Sequence, residues 1–194
     1  VWLAFFLYPT PLTAFDFRAV GVPDVTPFTG LFAHWNRGTN LAAEFDVSFL
    51  NLFPRPQPYR FEPGGHTLNF VPSIATMTIG VIAGEMMRRP STQHAKLLWL
   101  IRWGVALLVA GLVASFTVCP LVKEIWTPSW VLFSGGLTLL TMSGFFWAVE
   151  MRGWLRAVFP LVVVGMNSIA IYLLNVFTYP WLEKMAGIHF LDSW

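Results

Sequence analysis

Four long apolar stretches, each joined to the next by a short polar or basic turn, dominate the hydrophobic pattern of this chain. A helix needs about 20 apolar residues to cross the hydrocarbon core of a bilayer. The pattern therefore predicts spanning helices over residues 67–87, 97–118, 128–149 and 156–181, with the last helix ending near Pro180. Residues 1–8 have the character of the final turns of a first, partial span. The predicted fold is an all-α, polytopic transmembrane helix bundle of about five spans.

A long connection over residues 9–66 separates the partial first span from the second. Within it, residues 41–53 place an apolar side chain at every fourth position and polar side chains off that line. This spacing predicts a short amphipathic helix, which lies on the membrane surface or covers the mouth of the bundle. Asn40 is the expected N-cap of that helix.

The last predicted span is interrupted by polar side chains, and four of the five share one helical face at spacings of four, three and four residues. Polar groups at membrane depth face other helices or a water-filled cavity. They either hold neighbouring helices together or line a site, and the pattern alone leaves both interpretations open. The five residues are Asn167, Ser168, Tyr172, Asn175 and Tyr179.

Glycines at helical spacing predict close helix packing in two spans. Gly80 and Gly84 are four residues apart in the second span. In the third span Gly104, Gly111 and Ser115 share one face, Ala106, Ala110 and Ala114 form a second row, and either row is a candidate packing surface. Small residues at such spacings let another helix approach closely. For Gly80 and Gly84 the alternatives are dimerisation and packing within the same chain, and we expect the second.

The composition agrees with a membrane protein and excludes several other classes. Of the 194 residues 56% are hydrophobic and only 11% are charged, whereas a soluble domain carries about 25% charged residues. The net charge of +2, without a basic and aromatic groove pattern, excludes nucleic acid as a partner. The one cysteine, Cys119, excludes an intramolecular disulfide framework and a cysteine-only metal site.

The distribution of basic residues predicts the topology. Basic residues concentrate in the short turns over residues 88–96 and 150–156, whereas acidic residues outnumber the arginines in the loop over residues 9–66. By the positive-inside rule the two turns face the cytoplasm and the long loop is extracytoplasmic. The predicted location is the cytoplasmic (inner) membrane, with membrane lipids as neighbours.

The cytoplasmic arginines are candidates for binding the phosphates of a cofactor, because guanidinium groups bind phosphate bidentately. The positive-inside rule alone also accounts for them, so both interpretations stay open. Glu85 is expected to form an interfacial ion pair with Arg88 or Arg89. The candidates are Arg88, Arg89, Arg102, Arg152 and Arg156.

Soluble catalytic signatures are missing from the sequence. It contains no Walker loop, dinucleotide fingerprint, HExxH or GxSxG motif, and its histidines lack metal-ligand spacing, so we predict no bound metal. His34, followed by Trp35 and Asn36 on the outer loop, is a candidate general base. A lone loop histidine is more often structural, and the sequence leaves this choice open.

Four stretches resemble one family. Gly165-Met-Asn-Ser-Ile169, followed by Tyr172, resembles a segment of the heparan-α-glucosaminide N-acetyltransferase family of transmembrane acyltransferases and its bacterial relatives. Residues 42–50, 69–84 and 121–132 resemble further segments of that family in the same order. The resemblance covers nearly the whole chain but only the C-terminal half of such a protein.

The resemblance implies a function. The family transfers an acetyl group from cytosolic acetyl-CoA across the membrane to an amino sugar or similar acceptor, through a tunnel in a many-helix bundle. By this resemblance the outer-loop residue Asp46 lies near the arriving acceptor, and the cytoplasmic arginines meet the CoA phosphates. The residues expected to line the tunnel are Asn167, Ser168, Tyr172 and Asn175.

The chain also departs from the family. Pro63-Gly64-Gly65 stands where the family has Pro-Glu-Gly, and the family's proposed catalytic histidine lies in the N-terminal half, so the catalytic base is unassigned. We expect residues 1–194 to form a single integral membrane domain of a longer protein, with its N-terminal half or other membrane subunits as partners. The alternatives are a non-catalytic membrane subunit of a larger complex and a small-molecule transporter.

Overall fold

The computed structural model describes Ala4 and residues 28–36, 40–59 and 66–186. Within these ranges all regular secondary structure is helical, as the sequence predicts. The α-helices are α1 (Leu41–Leu50), α2 (Phe70–Arg88), α3 (Gln93–Thr117), α4 (Pro128–Phe146), α5 (Leu155–Met166) and α6 (Ser168–Ala186). Short 3₁₀ helices cover Gly30–Trp35 and Thr67–Asn69, and a π-helical turn covers Trp147–Met151.

Among the described residues, three helical stretches are long and apolar enough to cross a membrane, namely Thr67–Arg88, Gln93–Thr117 and Pro128–Met151. They coincide with the second, third and fourth predicted spans. The predicted partial span over residues 1–8 lies outside the described residues, apart from Ala4.

The fifth predicted span is not one continuous helix, because α5 and α6 meet at Asn167 with a bend of 78°. The side-chain amide of Asn167 donates to the carbonyl of Val163 at 2.8 Å, and its backbone leaves helical geometry. Asparagine side chains compete with the backbone for such bonds, which explains the break at this residue. Pro180 does not end the helix either, since α6 continues through it to Ala186.

The chain divides into two compact units, Val1–Phe145 and Phe146–Trp194. The second unit begins with an aromatic cluster, in which the rings of Trp147 and Trp154 pack edge to face at 5.4 Å. The guanidinium of Arg152 lies 5.1 Å from the centre of the Trp147 ring. This cluster orders the turn that leads into α5.

Helices α3 and α4 of the first unit pack against each other at glycine positions. A Cβ atom on Gly111 would lie 2.5 Å from the backbone nitrogen of Phe133, and one on Gly104 would lie 2.9 Å from the Leu140 side chain. The glycine face that the sequence predicts on the third span is therefore a packing surface. The expectation for Gly80 and Gly84 is wrong for the described residues, because nothing lies within 4 Å of a Cβ at either position.

A small buried core covers the end of the first unit where α2 begins. It contains Trp35, Ala42, Cys119 and Ile125, with Leu68 packed against them. We call the segments that form it (residues 28–36, α1, residues 66–69 and the turn over residues 119–127) the cap. The cap joins parts of the chain that are far apart in sequence.

The 119–127 turn is fixed to α2 by side-chain hydrogen bonds. The amide of Asn69 donates to the carbonyl of Glu124, and the indole of Trp126 donates to the Thr76 hydroxyl at 3.2 Å. Trp126 has a φ of 55°, in the left-handed region that non-glycine residues rarely adopt. The tertiary contacts of the indole offset the cost of this backbone conformation.

We predict that Gly111→Ala lowers the free energy of unfolding by about 1–3 kcal/mol, the usual cost of overpacking, because the added methyl meets the α4 backbone. Thermal unfolding in detergent measures the change. Gly144→Ala is the matched control, because a Cβ there meets open space, and alanine in place of glycine stabilises a helix by about 1 kcal/mol. Equal effects of the two substitutions would contradict the packing described here.

Candidate functional site

Helix α1 turns a face of small residues and one carboxylate towards the other segments of the cap. Asn40 is its N-cap, as predicted, since the Asn40 side chain accepts from the backbone nitrogen of Ala43 at 3.0 Å. Ala42, Ala43 and Asp46 are the buried residues of the helix, because positions three and four apart lie on one face. The two small alanines let α1 approach the cap core closely, and Asp46 is left only 2% exposed.

The Asp46 carboxylate has two partners at the start of α2. Its Oδ2 atom lies 3.0 Å from Nδ1 of His66. Both of its oxygens accept from the backbone nitrogen of Thr67, at 3.1 and 3.2 Å. A buried charge is tolerated only where it is paired and hydrogen-bonded, and these contacts fulfil that requirement.

The Asp46–His66 pair has the geometry of a base and the group that orients it. The contact suits a tautomer in which Nδ1 of His66 donates to the carboxylate. In that tautomer Nε2 is the nitrogen through which a histidine acts as a general base. Both side chains are almost fully buried, with 4% of the His66 side chain and 3% of the Asp46 side chain exposed.

Sequence reasoning selected Asp46, by resemblance, but missed His66. Twenty residues separate the two along the chain, and the intervening loop hides the relation between them. Two features of the sequence pointed towards this pair. Asp46 shares a helical face with two alanines, and His66 immediately precedes an apolar span.

The other outer-loop candidates have separate places in the cap. Asn36 is buried and closes a local loop, since its side chain accepts from the nitrogen of Phe28 at 2.7 Å and donates to the carbonyl of the same residue at 3.0 Å. His34 is half-buried in the 3₁₀ helix Gly30–Trp35. The hydrogen bonds of Asn36 give it a structural role, and the role of His34 as a base stays a prediction.

A second candidate site lies at the far end of α2, where the chain turns into α3. Arg102 lines a cavity of about 300 Å³, and two of its neighbours there are tryptophans with ring centroids 6.3 Å apart. Indole and guanidinium groups together suit a ligand with both an aromatic ring and an anionic group. The lining residues are Met86, Ala95, Leu98, Trp99, Arg102 and Trp103.

Two other cations at the turn between α2 and α3 are engaged locally. Arg89 pairs with Glu85 at 3.2 Å, which confirms the predicted ion pair, although an exposed pair of this kind adds little stability. Lys96 donates to the carbonyl of Met87 at 2.6 Å and fastens the turn between α2 and α3. Arg88 is exposed.

The remaining predicted site residues belong to the second unit. Arg152 lies over the Trp147 ring, and Arg156 is exposed near the start of α5. Asn167 is the break between α5 and α6, while Ser168, Tyr172 and Asn175 follow one face of α6 and are exposed in that unit. Their roles in lining a tunnel or binding CoA stay predictions.

Searches for similarity add no relative to this description. No protein-family model, no curated protein and no solved structure matches the chain. Among the residues that the structure describes, no group of three or more histidine, cysteine, aspartate or glutamate side chains is placed to hold a metal ion.

We predict that Asp46→Ala lowers the free energy of unfolding by about 1.5–3 kcal/mol, the usual worth of hydrogen bonds to a charged group. The reason is that His66 and the Thr67 nitrogen both lose their acceptor. Chemical or thermal unfolding in detergent measures the loss. Glu44→Ala on the exposed side of α1 is the control and changes little. An equally small effect at Asp46 would show that the carboxylate does not hold α1 to α2.

Proposed function

We propose that the chain is part of a membrane-embedded acyltransferase. The enzyme moves an acetyl group from cytosolic acetyl-CoA to an amine on the other side of the membrane. The cap then lies on the extracytoplasmic side and the turn between α2 and α3 on the cytoplasmic side, as the basic turns indicate. The observation that carries the proposal is the buried Asp46–His66 pair, because acyl transfer to an amine needs a base.

The proposed reaction uses the pair in one step. The acceptor nitrogen attacks the thioester carbonyl carbon, a C–N bond forms, the C–S bond breaks, and the CoA thiolate leaves. Nε2 of His66 takes the proton that the amine nitrogen loses, while Asp46 stabilises the imidazolium through Nδ1. The proton on the imidazolium neutralises the departing thiolate or passes to water.

The donor's phosphates belong at the other end of the bundle in this proposal. Arg102 and its tryptophan neighbours present a guanidinium and two indoles, which suit the phosphates and the adenine ring of CoA. From Arg102 to Thr117, the last residue of α3, the helix rises on the order of 20 Å at 1.5 Å per residue. The long flexible arm of CoA, with the thioester at its tip, would bridge this distance.

The polar residues of the last span belong to the second unit. Within that unit, Asn167, Ser168, Tyr172 and Asn175 are proposed to line a path for the acetyl group, as the resemblance implies.

His66→Gln is expected to reduce acetyl transfer by about 10²–10⁴-fold, the usual contribution of a general base. The rate is measured as the release of free CoA thiol. The assay uses proteoliposomes of the full-length protein with acetyl-CoA and a panel of amino-sugar acceptors. His94→Gln, an exposed histidine at the start of α3, is the matched control. Unchanged transfer in His66→Gln would remove this histidine from the reaction, and no acetyl-CoA turnover by the parent protein would favour a non-catalytic subunit.

Arg102→Gln is expected to raise the KM for acetyl-CoA about tenfold, because one charge-assisted hydrogen bond to the phosphates is lost. The KM for the acceptor should stay unchanged. Initial rates at varied acetyl-CoA measure this. Lys123→Gln, an exposed cation in the cap, serves as the control. A KM for acetyl-CoA that does not move would rule out the phosphate role of Arg102.

A further inference from the structure

The loop over residues 51–59, which follows α1, is closed by one side chain. The amide oxygen of Asn51 accepts from the backbone nitrogen of Tyr59 at 2.6 Å, and the amide nitrogen donates to the Tyr59 carbonyl at 3.1 Å. Three prolines lie between these residues and fix the backbone φ at their positions. The 51–59 loop is therefore preorganised although it lies on the surface.

This loop holds apolar side chains and a cation in the open. Leu52 is 75% exposed and Phe53 is 54% exposed. The Arg55 guanidinium lies over the Tyr59 ring, 5.6 Å from its centre, and Arg55 is itself exposed. Together the loop residues line a cavity of about 430 Å³, formed by Asn51, Leu52, Phe53, Pro54, Arg55 and Pro58.

The exposed apolar surface continues along α1. The rings of Phe45 and Phe49 stack at 5.4 Å, and those of Phe49 and Phe53 pack edge to face at 5.6 Å. The sequence predicts this row as the apolar face of an amphipathic helix, yet the face buried against the cap consists of the two alanines and Asp46 instead. The phenylalanine row points away from the protein core.

The position of α1 relates this surface to the membrane. Asp46 binds the backbone of Thr67, and the candidate span Thr67–Arg88 begins at that residue. Helix α1 therefore lies next to the residue at which the candidate span begins, and the 51–59 loop follows α1 directly along the chain. The exposed apolar side of α2, which includes Phe70, Ile74 and Met77, starts at the same end.

We propose that the 51–59 loop docks the phosphate of a membrane phospholipid in the leaflet that borders the cap. The in-plane N–H groups of Arg55 hold the phosphate, while Leu52 and Phe53 contact the upper part of the acyl chains. Between Asn51 and Arg60 the sequence has two arginines and no acid, so its charge complements that of a phosphate. This site is separate from the proposed acyl transfer and does not depend on it.

Photocrosslinking tests the site directly. The full chain is reconstituted into phosphatidylcholine nanodiscs that contain a phosphatidylglycerol with a photoreactive group next to its headgroup. Mass spectrometry then measures the yield of lipid crosslinks on the 51–59 peptide and on α2 peptides. The yield on the 51–59 peptide is expected to fall about tenfold in Arg55→Gln, as for the loss of one hydrogen bond to a charged group. The yield on α2 peptides is expected to stay constant and reports that the protein is folded.

Further variants separate the alternatives. Arg88→Gln removes an exposed arginine at the far end of α2 and should leave the yield on the 51–59 peptide unchanged. Leu52→Ser combined with Phe53→Ser should lower that yield. Equal yields in the parent and in Arg55→Gln would overturn the proposal. Binding of inorganic phosphate to the loop without any crosslinking of the 51–59 peptide to the lipid would also overturn it, because the site would then bind free phosphate rather than a lipid.

Discussion

The first unit depends on one buried carboxylate that cannot remain unpaired. Asp46 lies on α1, and its partners, His66 and the Thr67 nitrogen, lie at the start of α2. Burying an ionised group without partners costs several kcal/mol. Helix α1 therefore packs against the other segments of the cap only in the position that brings Asp46 to these two groups. The same constraint that positions α1 also fixes the orientation of the imidazole.

Two consequences follow for the rest of the molecule. Because Asp46 takes the inner face of α1, the phenylalanines of the helix face outward, beside the end of a candidate span. The 51–59 loop then continues this surface with a preorganised arginine. At the far end of α2 the arrangement differs, since Arg102 lies in an indole-lined cavity. In the proposed function, the base at one end and the phosphate-binding arginine at the other would serve transfer across a membrane.

Much of the architecture could be predicted from hydrophobic pattern alone, because a span is defined by composition over about 20 residues. Local signals also sufficed for the Asn40 cap and the Glu85–Arg89 pair, whose partners are three and four residues apart. The break at Asn167 was missed because the apolar pattern continues through it. His66 was missed because its partner is 20 residues away across a loop, and no periodic pattern carries such a relation. Gly80 and Gly84 of α2 have the spacing of a packing surface, yet among the described residues nothing lies within 4 Å of a Cβ at either position.

We expect Asp46 to hold His66 with its proton on Nδ1. Nitrogen NMR of the histidine-labelled protein in detergent, at a pH where the imidazole is neutral, measures this directly, and the His66 signals are identified by their loss in His66→Gln. We expect a protonated Nδ1 and an unprotonated Nε2 in the parent protein, and in Asp46→Ala a proton that moves to Nε2 or is shared between the two nitrogens. A proton on Nε2 in the parent protein would contradict this role of Asp46, because Nδ1 would then have no proton to share with the carboxylate.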